Sequence, residues 1–114
     1  MREVCFLIAG DVVLWSDEGD SPIALADKRE RWETIWKHRA ELTEIAHSHP
    51  IGPLGFSHED LTTMEALDSA LGKSLRYAVV APNGVIARVG EKEELVSPEP
   101  VWAARLRVSS GMPG

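Results

Sequence analysis

The chain has 114 residues, which is enough for one domain and too few for two. Its formal net charge of -6, with no block of Lys or Arg, argues against nucleic acids and anionic membranes as partners, because phosphate groups are bound by clustered positive charge. An apolar share of 44% is too high for a disordered chain. A protein or a small molecule is therefore the expected partner.

The only cysteine, Cys5, allows neither an intramolecular disulfide nor a zinc site built from cysteines. The apolar run from Val4 to Gly10 follows Glu3 and is closed by Asp11, so it is too short for a signal peptide or a membrane span. These features predict a cytoplasmic protein in a reducing compartment.

The first elements in chain order are predicted to be two strands, a loop and a helix. Residues 4–9 form a short, partly β-branched apolar run ended by Gly10, which indicates a buried strand. A second strand is predicted over 12–15, a loop over 16–21, and an amphipathic helix from about 27 to 42.

The second half of the chain predicts another strand, a helix and a hairpin. The strand covers 43–49, and the helix begins at Ser57 and is followed by Gly72, in the position of a C-cap glycine. The β-rich segment 75–89 is divided by the turn Pro82-Asn83-Gly84, which is a strong hairpin signal.

The remaining residues complete the predicted architecture. Residues 101–108 are expected to form a further strand or a helical turn, and 109–114 a flexible tail. The chain is thus predicted to be one α+β domain over 1–108, a mixed layer with a mostly antiparallel sheet flanked by two helices. Four tryptophans are expected to pack in the core or between helices, with one able to rim a peptide groove: Trp15, Trp32, Trp36 and Trp102.

Two histidines at the end of the third predicted strand begin a candidate metal site. Residues i and i+2 of a strand point to the same face, so the imidazoles of His47 and His49 converge. A short loop then allows Asp60, in the first turn of the next helix, to fold its carboxylate back toward them. Ligands of type His, His and carboxylate leave the fourth position of a tetrahedral zinc ion to water, as in catalytic sites. Zinc is therefore the predicted cofactor.

Each half of this pattern also has an ordinary structural explanation. Ser57-x-x-Asp60 ahead of an apolar helical stripe is close to a capping box, and histidines in a strand are often only structural. Ser48 is expected to point into the sheet. The combination with Pro50 and with seven residues between His49 and Ser57 is what makes the pattern specific.

This combination resembles the JAMM motif, the signature of the JAB/MPN metalloproteases. Residues 47–50 read His-Ser-His-Pro, and with Ser57 and Asp60 they match that motif completely. The family also places a catalytic glutamate on its first strand, in a segment that commonly reads Glu-Val-x-Gly-Leu-x-x-Gly. The segment 3–10 keeps the glutamate, the valine, the leucine and the last glycine of that pattern.

The resemblance implies a cytidine-deaminase-like JAB/MPN fold and a role for each matching residue. His47, His49 and Asp60 would bind Zn2+. Glu3 would be the general base, and Ser57 would hydrogen-bond the oxyanion of the tetrahedral intermediate. The implied reaction is cleavage of a peptide or isopeptide bond at the C-terminus of a ubiquitin-like or sulfur-carrier protein, by a prokaryotic-type member without a large insertion.

The sequence departs from the family pattern at two places. Family members usually carry a helix before the catalytic glutamate, whereas only Met1 and Arg2 precede Glu3 here. We therefore expect a second copy or a partner subunit to cover the surface that this helix would cover. Phe6 stands where a glycine is usual, which predicts a local change of packing.

Two other functions stay open at this point. A non-catalytic MPN scaffold would bind partners and keep a metal only for structure, although such members typically lose the ligands that this chain retains. A metal-dependent hydrolase of a small molecule is the second alternative.

Among other residues near the motif, His58 is expected to be exposed and Cys5 to be a buried, inert thiol.

Overall fold

A computed structural model describes residues 1–18 and 29–112, and within them the chain forms six strands and three helices. In chain order these are β1 (Val4–Ala9), β2 (Val12–Glu18), α1 (Arg29–Lys37), β3 (Glu44–Ser48), α2 (His58–Leu71), β4 (Arg76–Ala81), β5 (Gly84–Val89), β6 (Lys92–Leu95) and α3 (Val101–Ser110). The predicted α+β class with a mostly antiparallel sheet is confirmed, but the described residues contain a third helix beyond the two expected.

The six strands form one open sheet in the order β2-β1-β3-β4-β5-β6. Neighbours run antiparallel except β3 and β4, which are parallel and are joined through α2. A parallel pair needs such a crossover, because a tight turn cannot join strands that run in the same direction. The crossover takes the chain away from the sheet at the end of β3, where the predicted histidines lie.

Alternation along β1 divides the apolar core into two clusters, one on each side of the sheet. Val4, Phe6 and Ile8 belong to the cluster that packs under α3. Cys5 and Leu7 point the other way and belong to the cluster that packs under α1 and α2. The sheet is thus covered by helices on both faces.

Strand β2 is longer than predicted. It runs to Glu18, so Ser16 and its neighbours up to Glu18 are strand residues and not part of the predicted loop 16–21. Residues 19–21 lie outside the described part of the chain. Polar residues are tolerated here because β2 is an edge strand that pairs only with β1, and Glu18 forms an ion pair with Arg2 at 3.1 Å.

Helix α1 is shorter than predicted. It ends at Lys37, and Leu42 is fully buried in the segment that follows it. Residues 27–28 lie outside the described part of the chain. Trp32 and Trp36 are 39% and 54% exposed, so the expectation that the tryptophans pack inside is wrong for Trp36 and only partly met by Trp32.

The predictions for the second half are largely confirmed. Ser57 is the N-cap of α2, and Gly72, with a φ of 68°, is its C-cap. β4 and β5 form the predicted hairpin, although the turn consists of Pro82 and Asn83, while Gly84 already belongs to β5. Strand β6 was not predicted because its sequence, Lys-Glu-Glu-Leu, is exposed throughout at the edge of the sheet.

The C-terminal segment forms a helix, which corrects the prediction of a strand or a single helical turn over 101–108. The buried face of α3 includes Arg107, whose guanidinium is bound to Glu99, so an ion pair interrupts the apolar stripe that would have predicted a helix. Part of the predicted flexible tail 109–114 is described: α3 extends to Ser110, and Ser110 and Met112 are buried. Residues 113–114 lie outside the described part.

Helix α3 covers the sheet face that carries Val4, Phe6 and Ile8. The side chain of Phe6 is fully buried under this helix, and the guanidinium group of Arg105 lies 5.2 Å from the centre of its ring. A second copy or a partner subunit on this domain stays a prediction.

Within residues 1–18 and 29–112, no helix has both the length and the apolar character required to cross a membrane.

Candidate metal centre

The two predicted histidines converge at the end of β3. His47 is in the strand, and His49 is one residue past its end, held to β4 by a hydrogen bond from its N–H to the carbonyl oxygen of Val80 at 2.8 Å. Their Nε2 atoms are 3.1 Å apart, and the two rings meet edge to face. The i, i+2 spacing therefore brings both imidazoles to one point, as predicted.

The loop that follows β3 orients the ring of His49. Its Nδ1 lies 2.9 Å from the carbonyl oxygen of Pro53, and because a carbonyl only accepts, Nδ1 carries the proton. Nε2 then presents its lone pair toward His47. Burial, followed by the charge of His47, lowers the pKa of His49, which favours the neutral imidazole. A backbone carbonyl that holds a histidine in this way is the usual support of a metal ligand.

Asp60 completes the set from the first turn of α2. Its Oδ1 lies 3.4 Å from Nε2 of His47, and its Oδ2 lies 3.6 Å from Nε2 of His49. Burial raises the pKa of this carboxyl group, but the hydrogen bond and charge of His47 and the hydrogen bonds of Ser57 outweigh burial and lower the pKa to about 2. Asp60 is thus an anion beside two imidazoles.

This donor set has the spacing of a metal site. The two Nε2 atoms are 3.1 Å apart, and each lies 3.4 or 3.6 Å from a different oxygen of Asp60, close to the distance of about 3.4 Å between ligands that are about 2.1 Å from a tetrahedral ion. A contact of this length between two Nε2 atoms requires a proton or a cation between them, and a proton on Nε2 of His47 meets this need in the absence of a metal. The structure therefore brings His47, His49 and Asp60 together in an arrangement that could hold a divalent cation.

Glu3 lies beside the two histidines and is buried, with 5% of its surface exposed. One of its carboxylate oxygens is within 4.8 Å of a ring nitrogen of His47 and of His49, so these three residues also form a group that could hold a metal. Burial, with a contribution from Asp60, raises the pKa of Glu3 to about 7, against the opposing charges of His47 and Arg31.

The carboxyl groups of Asp60 and Glu3 therefore differ in pKa, in opposite directions from the ordinary value. Asp60 is ionised and lies close to both Nε2 atoms, which suits a ligand, whereas Glu3 exchanges a proton near neutral pH, which suits a base. Both carboxyl groups are thus candidates for the third ligand, and the assignment of Asp60 to that role stays a prediction.

Ser57 is the N-cap residue of α2 and is exposed on the wall of the same cavity. Its Oγ accepts a hydrogen bond from the N–H of Asp60 at 3.0 Å. A hydroxyl group that accepts through its oxygen still has its own hydrogen to donate. Ser57 can therefore cap the helix and donate to a substrate oxygen at the same time.

The cavity that contains these groups has a volume of about 500 Å3. One end is polar and carries Glu3, the histidines, Asp60 and Ser57, and Trp32 forms part of its wall, as expected for a tryptophan at the rim of a groove. The rest of the wall is largely apolar and includes Cys5, Ile35, Ile45, Met64, Leu67 and Tyr77. Such a mixture of an apolar wall and a few convergent polar groups is typical of ligand sites.

The ion pair between Arg31, which lines this cavity, and Asp17 was not predicted. Arg31 of α1 donates to Oδ2 of Asp17 from Nε at 2.9 Å and from Nη2 at 2.7 Å, and both side chains are almost buried. Arg31 lies four residues before Ile35, the buried residue of α1, so helical spacing alone could have placed it on the inner side. Asp17 had no such signal, because it was assigned to a loop.

The other candidate residues are placed as follows. His58 is exposed, as predicted. Cys5 is buried in the cavity wall, where burial raises the pKa of its thiol to about 12, so it stays protonated. Ser48 is fully buried and points away from the histidines.

No known family model matches the chain, and no curated protein matches it.

Proposed function

We propose that this chain is a zinc-dependent hydrolase of the JAB/MPN type, with the JAB/MPN fold, that cleaves a peptide or isopeptide bond at the C-terminus of a ubiquitin-like or sulfur-carrier protein. One observation carries the proposal: the Nε2 atoms of His47 and His49 are 3.1 Å apart, each lies within 3.6 Å of an oxygen of Asp60, and the buried carboxyl group of Glu3 is beside them. The substrate class rests on the resemblance to the JAMM motif.

The chemistry divides between the ion and the side chains. A zinc ion bound by the histidines and Asp60 would supply Lewis-acid activation of water and of the substrate carbonyl group. Glu3, with a pKa of about 7, is suited to accept a proton from the attacking water and to pass it to the nitrogen of the leaving amine. The hydroxyl of Ser57 is suited to donate to the oxyanion that forms at the carbonyl carbon.

The apolar wall supports a polypeptide rather than a small polar substrate. Trp32, Ile35, Met64 and Leu67 line the cavity next to the polar groups, and a chain segment laid along them would exclude water from the reacting bond. This arrangement favours peptide hydrolysis over the hydrolysis of a small polar molecule.

The experiment measures zinc content and cleavage of a ubiquitin-like fusion by wild type, Glu3→Gln and Glu65→Gln. Glu65 is an exposed residue of α2 and serves as the matched control. We expect one zinc per chain in all three proteins, turnover by wild type and Glu65→Gln, and a loss of at least about 10²-fold in kcat for Glu3→Gln. Equal turnover by Glu3→Gln would remove Glu3 as the base. Zinc bound without any turnover would favour the non-catalytic scaffold.

A further inference from the structure

Ser48 lies between the two candidate zinc ligands, but its side chain is on the opposite face of β3 and is fully buried. Its Oγ accepts a hydrogen bond from the N–H of Val4 at 2.8 Å and donates to the carbonyl oxygen of Arg2 at 3.5 Å. These two backbone groups belong to the residues immediately before and after Glu3. One hydroxyl group therefore bridges the backbone around the candidate base.

The bridge lies where regular pairing between β1 and β3 has stopped. Their last paired residues in this direction are Cys5 and His47, so Glu3 is two residues beyond the ladder. The N–H of Val4 would be a buried donor without a ladder partner, and the side chain of Ser48 takes the place of a backbone carbonyl. Val4 also pairs with Glu18 of β2 and the N–H of Arg2 bonds to Ser110, but the side chain of Ser48 is what connects this segment to β3.

We infer that Ser48 is a positioning residue for Glu3: its two hydrogen bonds hold the backbone on both sides of Glu3, so that the carboxyl group stays beside His47 and His49. The inference rests on the proposed function in one respect, the role of Glu3 as base. The two histidines and Ser48, which would position the base, thus lie on opposite faces of β3. A displacement of about 1 Å in a catalytic group can lower a rate by about 10²-fold, so the loss of this bridge is expected to lower kcat.

The other end of the same strand pair offers a matched control. Oγ1 of Thr43 accepts from the N–H of Gly10 at 2.9 Å and donates to the carbonyl oxygen of Ile8 at 3.2 Å. This is the same bridge, from a hydroxyl next to β3 to the backbone on both sides of one residue of β1. Thr43→Val removes it far from the candidate site.

The first measurement does not depend on activity. In the metal-free protein, Ser48→Ala should speed amide hydrogen exchange at Val4 by about tenfold and broaden or double the 13C carboxyl resonance of Glu3. Thr43→Val should speed exchange at Gly10 and leave the Glu3 resonance unchanged. A Glu3 resonance that is the same in Ser48→Ala and wild type overturns the inference, whether or not the wild-type protein cleaves any substrate.

The second measurement uses turnover of the ubiquitin-like fusion at full zinc occupancy. We expect Ser48→Ala to lower kcat by about 10- to 100-fold with little change in KM, and Thr43→Val to leave kcat unchanged. Ser48→Thr, which keeps the hydroxyl, should restore most of kcat. In a Glu3→Gln background, Ser48→Ala should cause no further loss, because its effect passes through Glu3.

An equal loss of kcat in the wild-type and Glu3→Gln backgrounds contradicts the inference, as does an equal loss in Thr43→Val. If Ser48→Ala does not fold, Ser48→Cys replaces it, since a thiol fills the same space with a weaker donor and acceptor. Ser48→Cys should then show the same changes at Val4 and Glu3 to a smaller degree. A wild-type protein without turnover removes the proposed function and leaves the exchange and resonance measurements to decide on Ser48.

Discussion

Ser57 and Asp60 exchange hydrogen bonds in both directions at the start of α2. The N–H of Ser57 donates to Oδ2 of Asp60 at 2.8 Å, and the N–H of Asp60 donates to Oγ of Ser57 at 3.0 Å. This is a capping box, the ordinary structural explanation of the sequence pattern. Oδ1 of Asp60 nevertheless lies 3.4 Å from Nε2 of His47. The two residues therefore begin the helix and complete the candidate metal site together.

Substitutions of Ser57 separate these two roles. Glycine serves as an N-cap with a loss of a few tenths of a kcal/mol, whereas alanine costs about 1 kcal/mol. Both remove the hydroxyl, so we expect both variants to lower kcat by about 10²- to 10³-fold. Thermal unfolding should rank wild type above Ser57→Gly and Ser57→Ala last. A kcat that follows this stability order would mean that only the cap matters.

Zinc should stabilise the wild-type protein and not His49→Ala. A ligand at 100 times its Kd raises the free energy of unfolding by about 2.7 kcal/mol, and the removal of one ligand greatly weakens binding. His58→Ala is the control, because His58 is a nearby but exposed histidine. Thermal unfolding with and without zinc measures the difference. A shift of the same size in both variants would exclude His49 as a ligand.

Glu3→Gln should change the pH dependence of stability in the metal-free protein. Burial raises the pKa of Glu3 from 4.5 to about 7, so the folded state keeps a proton that the unfolded state releases. The stability that this group contributes is fully present below about pH 4.5 and is lost as pH rises to about 7, by about 3 kcal/mol. Gln cannot titrate, so this loss should be absent from the variant.

Denaturant unfolding of both proteins between pH 5 and 8 measures this effect. We expect the difference in the free energy of unfolding, variant minus wild type, to grow with pH in favour of Glu3→Gln. Parallel pH profiles would show that Glu3 is not held in a desolvated environment. A gain of stability in Glu3→Gln would illustrate the cost of keeping a carboxyl group in a desolvated site.

The packing of α3 is tested by a pair of apolar residues in the same helix. Leu106 is fully buried against the sheet, whereas Val108 is 66% exposed. Leu106→Ala should lower the free energy of unfolding by about 2–5 kcal/mol, and Val108→Ala should change it by less than about 0.5 kcal/mol. A small and equal loss in the free energy of unfolding of both variants would mean that α3 is not part of the folded core. Chemical denaturation is a sufficient measurement.

The parts of the fold that the sequence predicts are those with a local signal. β1 is a continuous apolar run, and the hairpin of β4 and β5 surrounds a Pro-Asn-Gly turn, so each can be recognised without its neighbours. α3 could not be recognised in this way, because Arg107 lies on its buried face and is neutralised by Glu99, which comes before the helix. All four residues of β6 are exposed, and the strand is held by pairing with β5 and by an ion pair of Glu94 with Arg76 of β4. Its register depends on tertiary structure.

The candidate site shows the same division. His47, His49 and Asp60 lie within one short segment, so a strand, a loop and a helix start are enough to bring them together. Glu3 is separated from them by more than forty residues and could be named only through a resemblance to a family. Arg31 and Asp17 meet through the docking of α1 on the edge strand β2, and no pattern in the sequence specifies that contact.

The N–H of Arg2 donates to the carbonyl oxygen of Ser110 at 2.9 Å, so the last residue of α3 is tied to the residue before Glu3. Helix α3 packs on the face of the sheet opposite to the candidate site, so the hydrogen bond connects that face to the backbone beside Glu3. A shift of the last turn of α3 would therefore act on the position of Glu3 without any contact to the histidines, and mechanical coupling across the sheet is a consequence of this one bond.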